Sequence, residues 1–256
     1  MSTVEERAVE EARQQIRALV DEIAGLARSD LAEADFFRGL LDRVLEAMGA
    51  VAGLVWLVGE QGRVEPICHA GMQATGLTDT PESQEAHGRL VQTLVGNPTG
   101  LLVPPRAALT GPDGKQAADN PTDLLVVAAP LARAGSRAGL IEVFHQPNQP
   151  DVERGYLKFL EQVSEVAGGY LERRQLITLD SQQTALAQVD RFSRAVHETL
   201  DPIATAFVLA NEARRIIGCD RVSVLVKRGR KLRLEAVSGQ ESIERRATAV
   251  QAIQEL

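Results

Sequence analysis

The chain has 256 residues, a hydrophobic fraction of 44% and a formal net charge of -7 at neutral pH. This length allows one or two domains with an ordinary apolar core. The acidic balance argues against a general nucleic-acid or membrane-surface binder, because both of those partners are negatively charged. The two cysteines are far apart, so they provide neither a disulfide framework nor zinc-ligand spacing, and they favour a reducing, cytoplasmic location. No apolar run is long enough to span a bilayer, and we expect no membrane contact in this segment.

The first predicted element is an amphipathic helix over residues 1–28. Its apolar residues recur at steps of three and four, which is the spacing of a short coiled-coil seam. These residues are Val9, Ala12, Ile16, Leu19, Ile23 and Leu26. Two interpretations fit this stripe equally well. One is a homodimer seam that includes Val9, Ile16 and Ile23, and the other is a single helix packed on its own domain.

Helical and strand patterns then alternate up to about residue 150. In chain order, we predict a helix over 36–48, strands over 54–58 and 63–69, a helix over 82–96, a strand over 101–103, a surface loop over 110–122, and buried strands over 124–129 and 139–144. Gly49 suits the end of the first of these helices, and Pro81 suits the entry of the second.

Residues 151–200 contain little Gly or Pro, and their apolar residues again follow a coiled-coil spacing. We predict one long helix, with an interruption near 178–181 left open. A helix of this length cannot bury itself on one small domain. We therefore expect it to pair with a copy of itself, so that the protein forms a homodimer.

The order helix, Gly, strand, turn, strand, Gly occurs twice. In the second copy a helix over 203–217 ends at Gly218, and strands over 222–226 and 232–237 lead to Gly239. From the first strand to the closing glycine the two copies align without a gap, with Gly71 opposite Gly239. The second copy reaches Leu256 after one more helical stretch. We therefore expect tandem modules with an incomplete second copy, and an output domain outside this chain.

The segment from Glu212 to Val224 resembles the opening of a GAF domain, in which an amphipathic helix ends in Gly, and a small residue and Asp-Arg lead into the first strand. Residues 45–57 are a looser version, with Val51 and Ala52 in place of Asp-Arg. The resemblance implies an α+β fold with an antiparallel sheet of five or six strands flanked by helices. It implies a complete domain over 30–176, a closing and connecting helix over 151–200, and the start of a second domain over 187–256.

GAF modules are mostly sensory and regulatory. They bind small molecules or dimerise upstream of output domains, and their ligands lie between the sheet and the short helices. The resemblance therefore implies a non-enzymatic module of signal transduction that responds to an unidentified small molecule, to dimerisation, or to both. A structural dimerisation scaffold without a ligand stays open. Two kinds of parent protein fit: a bacterial signalling protein, and a membrane-fusion or secretion adaptor.

By this resemblance, the residues expected to line a ligand pocket are Trp56, Cys68, His69, Met72 and His87. Trp56 could stack on a planar ligand, although a core aromatic is the more common role. The adjacent Cys68 and His69 could bind a metal or form a reactive thiolate. A metal needs more ligands than these, so we expect a buried cysteine, a partly exposed histidine and no metal site. The sequence does not identify a cofactor.

His197 and Glu198, with Pro202 five residues after the histidine, resemble the phosphoacceptor box of histidine kinases. A GAF opening follows within twenty residues, however, and Asp201 suits the N-cap of the next helix. We therefore favour a helix start over phosphorelay.

The basic run over 227–233 is interpreted as a solvated hairpin turn, and we expect no nucleic-acid partner. No ordered catalytic motif occurs, so no enzyme is predicted.

Overall fold

The structure is a computed structural model, and it describes residues 3–59, 61–110, 116–133, 135–198 and 200–240. The chain divides into two compact units, Met1–Gln175 and Leu176–Leu256. The helices are α1 (Thr3–Arg28), α2 (Glu33–Met48), a 3₁₀ helix (Met72–Thr75), α3 (Pro81–Val95), α4 (Pro150–His197) and α5 (Pro202–Ile217). The strands are β1 (Ala52–Val58), β2 (Val64–Ala70), β3 (Leu101–Val103), β4 (Ala108–Thr110), β5 (Gln116–Asp119), β6 (Leu125–Arg133), β7 (Ser136–His145), β8 (Ser223–Arg228) and β9 (Lys231–Val237).

The first unit contains a five-stranded sheet in the order β2-β1-β7-β6-β3. Every neighbouring pair in this sheet is antiparallel. Helix α3 covers one face, and α1, α2 and the first part of α4 cover the other. This arrangement confirms the predicted α+β class and the order of elements that the GAF resemblance implied.

The local sequence explains where the helices of this unit begin and end. Gly49 follows α2 in the left-handed conformation, and its N–H bonds the last carbonyls of the helix. Thr80 is the N-cap of α3 and accepts a hydrogen bond from the Ser83 N–H at 3.2 Å. Pro81 follows at the first helical position, where a missing N–H costs nothing. The helix boundaries predicted at Gly49 and Pro81 are therefore confirmed.

Strand β7 alternates between the two faces of the sheet. Ile141 and Val143 belong to the core beneath α2 and α4, which we call the α2/α4 face. Leu140 and Phe144 belong to the core beneath α3, which we call the α3 face. Since side chains along a strand alternate, the residue between Ile141 and Val143 also points to the α3 face.

Helix α1 packs partly within its own unit. Ile23 is fully buried in the core of the α2/α4 face, so its side chain cannot contribute to the homodimer seam that we predicted for it. Ile16 is 39% exposed. The side chain of Val9 lies outside the described part of the structure. The interpretation of α1 as a helix packed on its own domain therefore holds for its second half.

One local prediction is wrong. The segment predicted as a surface loop over 110–122 contains part of the β4–β5 hairpin and the buried residues Ala118, Asn120 and Thr122. These polar side chains can be buried because they are hydrogen-bonded. The Asn120 Nδ2 donates to nearby backbone carbonyls, among them the Leu124 oxygen at 2.8 Å. The predicted long helix is confirmed: α4 runs through 178–181, where an interruption was left open, in a segment that has neither Gly nor Pro.

The second unit contains α5 and the β8–β9 hairpin, and its hairpin repeats a detail of the first. In each hairpin one residue of the second strand is left unpaired in a bulge, Ile67 in the first and Glu235 in the second. The two bulges correspond only if the turn of the first hairpin is one residue longer than the turn of the second. The predicted gap-free alignment of the two copies is therefore shifted by one residue in the first strand of each hairpin. The helical stretch predicted after Gly239 lies outside the described residues.

Candidate functional site

An acidic residue lies at the centre of the sheet. Glu142 is in β7, between Leu54 of β1 and Ala128 of β6, and its exposed fraction is 0%. Both neighbours belong to the apolar core of the α3 face. A carboxyl group in such surroundings loses its hydration, which is costly unless protein groups replace the water.

Two ring nitrogens bond one oxygen of this carboxyl group. The indole Nε1 of Trp56 donates to Glu142 Oε1 at 2.7 Å, and the imidazole Nε2 of His87 hydrogen-bonds the same oxygen at 2.8 Å. The other oxygen, Oε2, is buried and has no hydrogen-bond partner among the residues that the structure describes. An unsatisfied buried acceptor costs about 1–3 kcal/mol, so the fold alone does not account for this arrangement.

Aromatic rings contact the ring of His87 on the α3 face. The His87 ring is edge-on to Trp56 at 5.8 Å and to Phe144 at 5.9 Å between ring centroids. We call Trp56, His87, Glu142 and Phe144 the Glu142 cluster. Trp56 is its half-buried member, and the cluster therefore reaches solvent on that side. Electrostatic interactions within it are strengthened because little water is present.

Helix α3 presents His87 to the sheet, and its two halves are attached differently. In the second half, Leu90, Val91 and Leu94 are buried in the apolar core. In the first half, from Pro81 to Gly88, the buried residues are Ala86 and His87. The contact between His87 and Glu142 is therefore a large part of what holds the first half of α3 against the sheet.

The structure brings four of the five predicted pocket residues to the α3 face. Trp56 and His87 are in the Glu142 cluster, and Met72 packs at half exposure against the same core. His69 pairs with Leu54 and so faces the same side, but it is exposed at the edge strand. Gly71 makes the turn from β2 toward Met72, where any Cβ would lie 2.2 Å from the Val51 carbonyl oxygen.

Cys68 does not belong with these residues. It is buried on the opposite α2/α4 face, because adjacent residues of a strand point to opposite sides of a sheet. The prediction that Cys68 lines the same pocket as His69 and Trp56 is therefore not compatible with this fold. Burial raises the pKa of the Cys68 thiol from 9.0 to about 11, since the apolar core disfavours the thiolate.

Sequence reasoning missed Glu142, the residue that defines the cluster. A signal was present, because Glu142 is the one acidic residue within the apolar run from Gly139 to Phe144. A continuous apolar strand is typical of burial on both faces, where there is no solvent side for a carboxylate. An acidic residue in such a strand indicates a buried polar group with a specific partner.

His197 is exposed at the end of α4. The predicted role of Asp201 as a helix cap is confirmed, since its side chain accepts from the Ile203 N–H at 2.9 Å.

Over the described ranges, no group of three or more His, Cys, Asp or Glu residues is placed to hold a metal ion. In the same ranges, no helix is both long enough and apolar enough to cross a membrane.

Two surface clefts lie away from the Glu142 cluster. One is between α1 and α2 and includes Ile16, Glu22 and Arg43. The other lies beside the β1–β2 hairpin and includes Leu57 and Ile67. Neither contains a residue of the predicted pocket, and the chemistry of the α3 face makes the Glu142 cluster the stronger candidate site.

No protein-family model matches the chain, and no curated protein does. Similar solved structures include an A. aeolicus nlh2 GAF domain in an inactive state, with 14% identity, a TM-score of 0.49, and coverage of 64% of this chain and 99% of that one. The GAF domain of a putative sensor histidine kinase from Pseudomonas syringae pv. tomato has 18% identity, a TM-score of 0.44, and coverage of 69% and 98%. A Stigmatella aurantiaca phytochrome photosensory core module has 12% identity, a TM-score of 0.49, and coverage of 94% and 50%.

Similarity at this level carries no argument about function. The first unit has the antiparallel five-stranded sheet flanked by helices that the GAF resemblance implied.

Proposed function

We propose that this chain is a non-enzymatic regulatory segment of a signalling protein, and that the Glu142 cluster is its input site. The observation that carries this proposal is the fully buried Glu142 carboxyl group, whose Oε2 has no hydrogen-bond partner in the described ranges. Buried polar groups are nearly always satisfied, and the exceptions are concentrated at functional sites. Binding of a small molecule would satisfy this oxygen and change how α3 is held.

Strand β7 connects this site to the helices of the α2/α4 face. Glu142 faces α3, while its neighbours Ile141 and Val143 pack in the core of the α2/α4 face. Val163 and Ala167 of α4 are buried in that same core. A shift of β7 at Glu142 would therefore change the packing of α4, which continues beyond the first unit.

The later part of α4 supports a dimer. Leu179, Leu186 and Val189 are 47%, 70% and 60% exposed and are separated by seven and three residues, as in a coiled-coil seam. Exposed apolar residues at this spacing favour pairing with a second copy of the helix. The input site would then regulate the output by changing the stability or register of this pair.

Sedimentation equilibrium of the full chain tests this coupling. A typical coupling free energy of about 1–3 kcal/mol corresponds to a change of about 5-fold to 150-fold in the dimer dissociation constant. We expect a change in this range for Glu142→Gln and none for Glu82→Gln, which removes the same charge from an exposed position on α3. Leu186→Glu should weaken the dimer, whereas Gln188→Glu on the opposite side of α4 should not.

A dimerisation scaffold without a ligand is the second candidate. The complete burial of Glu142 favours it, because the site is closed by its own side chains. A scaffold would keep the same dimer dissociation constant in Glu142→Gln as in the native chain. A native chain that stays monomeric at all concentrations would contradict both candidates.

A further inference from the structure

We infer that the input site recognises a small organic cation, an ammonium or amidinium group, whose N–H bonds Glu142 Oε2. This inference rests on the proposed function of the Glu142 cluster as an input site, and it adds the chemical class of the ligand. It depends on two observations: the buried oxygen that has no hydrogen-bond partner among the described residues, and the aromatic rings of Trp56 and Phe144, which both contact the ring of His87.

The chemistry of the carboxyl group sets the charge of the ligand. If Glu142 is ionised, its Oε2 can only accept hydrogen bonds, and a ligand must present a donor to it. Hydrogen bonds between a charged donor and a carboxylate are about twice as strong as neutral ones. The side chains that flank Glu142 on the neighbouring strands, Leu54 and Ala128, carry no charge that would attract an anion.

The aromatic rings favour the same class. A cation near the face of a tryptophan or phenylalanine ring is attracted by the negative charge density of the ring. The imidazole of His87 already contacts the rings of both Trp56 and Phe144, and its Nε2 hydrogen-bonds the carboxyl group. His87 therefore occupies the place of a ligand nitrogen, and an external cation competes with it.

Access requires only a local change. The first half of α3 buries Ala86 and His87, and its other side chains are exposed or half-exposed. Release of His87 from Glu142 would let this half move while Leu90 and Leu94 keep the second half in place. The half-buried Trp56 marks the side from which a ligand enters.

Fluorescence titration of the full chain tests this inference, because Trp56 is the single tryptophan. The probes are benzylammonium, benzyl alcohol and phenylacetate, which share a phenyl ring and differ in charge. We expect a saturable change with benzylammonium and binding about tenfold to hundredfold weaker with the alcohol. Phenylacetate should give no saturable change, because its charge is repelled by Glu142.

Three variants assign the effect to the cluster. Glu142→Gln keeps an acceptor for Trp56 and His87 but loses the charge, and it should weaken benzylammonium binding at least about tenfold. His87→Ala removes the internal competitor and should tighten binding. Glu82→Gln, the exposed control on α3, should bind like the native chain.

The inference is overturned if the native chain gives no saturable signal with benzylammonium, if phenylacetate binds as tightly, or if Glu142→Gln binds unchanged. Should Glu142→Gln fail to fold, tighter binding by His87→Ala still supports the inference, and unchanged binding by that variant contradicts it. The proposed function is judged separately by the dimer dissociation constant. A dimer that responds to Glu142→Gln without any cation binding would leave the function standing and reject only the ligand class.

Discussion

The cores on the two faces of the five-stranded sheet differ in the polarity of the side chains that they bury. On the α2/α4 face, Phe36 stacks on Tyr170 with ring centroids 3.8 Å apart, and apolar side chains from α2, α4 and the strands fill the space around them. On the α3 face, a second apolar core contains Glu142, whose Oε2 has no hydrogen-bond partner within the described part of the chain. The first face provides stability, and the second retains a costly polar group that stability alone does not require.

Truncation on the α2/α4 face should have the largest effect. Phe36 is fully buried, so Phe36→Ala leaves a cavity beside Tyr170 and should reduce the free energy of unfolding by about 3–5 kcal/mol. Urea unfolding followed by Trp56 fluorescence measures this in the first unit. Gln188→Ala, at an exposed position of α4 opposite the proposed dimer seam, should change it by no more than about 0.5 kcal/mol. A loss below about 1 kcal/mol for Phe36→Ala would mean that this face is not the main apolar core.

Removal of the contact on the α3 face should cost less. His87→Ala deletes a buried ring and one of the two hydrogen bonds to Glu142, and we expect a loss of about 2 kcal/mol in the same unfolding experiment. His69→Ala is the matched control, because His69 is on the same face but exposed. Equal effects of the two substitutions would contradict the assignment of His87 to the site.

A third effect concerns Cys68 and appears only at high pH. Its thiol has a pKa of about 11 in the folded chain and 9.0 without burial. Between these values the unfolded chain loses the proton while the folded chain keeps it, so the free energy of unfolding falls as pH rises from about 9 to 11. The wild-type protein should show this fall relative to Cys68→Ala. A constant difference between the two proteins over that range would contradict the burial of the thiol.

The same burial predicts how the two thiols differ in reactivity. The thiolate is the reacting species, so iodoacetamide at pH 8 should modify the partly exposed Cys219 well before Cys68. Peptide mass spectrometry identifies the modified residue. Rapid modification of Cys68 in the folded protein would place it at an accessible site instead of in the core of the α2/α4 face.

The sequence predicted the elements of the sheet well, because their signals are local. Gly49, Pro81 and Asp201 mark helix ends through backbone geometry and capping, which depend on few neighbours. The packing of Ile23 could not be predicted in this way. The same apolar stripe fits a dimer seam and a domain core, and only the position of α2 decides between them.

The candidate site was predicted only in part, for a related reason. Trp56 and His87 were expected at the pocket, but the residue that joins them is 55 positions from His87 along the chain. Contacts of that kind depend on strand pairing and not on local pattern. The assignment of Cys68 failed because the resemblance was applied to a pair of adjacent residues, which a strand places on opposite faces.

The central claim is that the contact between His87 and Glu142 holds the first half of α3 and is coupled to α4. Hydrogen exchange of the full chain, with and without His87→Ala, tests it most directly. We predict faster exchange at residues 85–88 with little change at 90–95, together with altered exchange at 176–197. Faster exchange of all of α3 as one unit, or no change at 176–197, would contradict the claim.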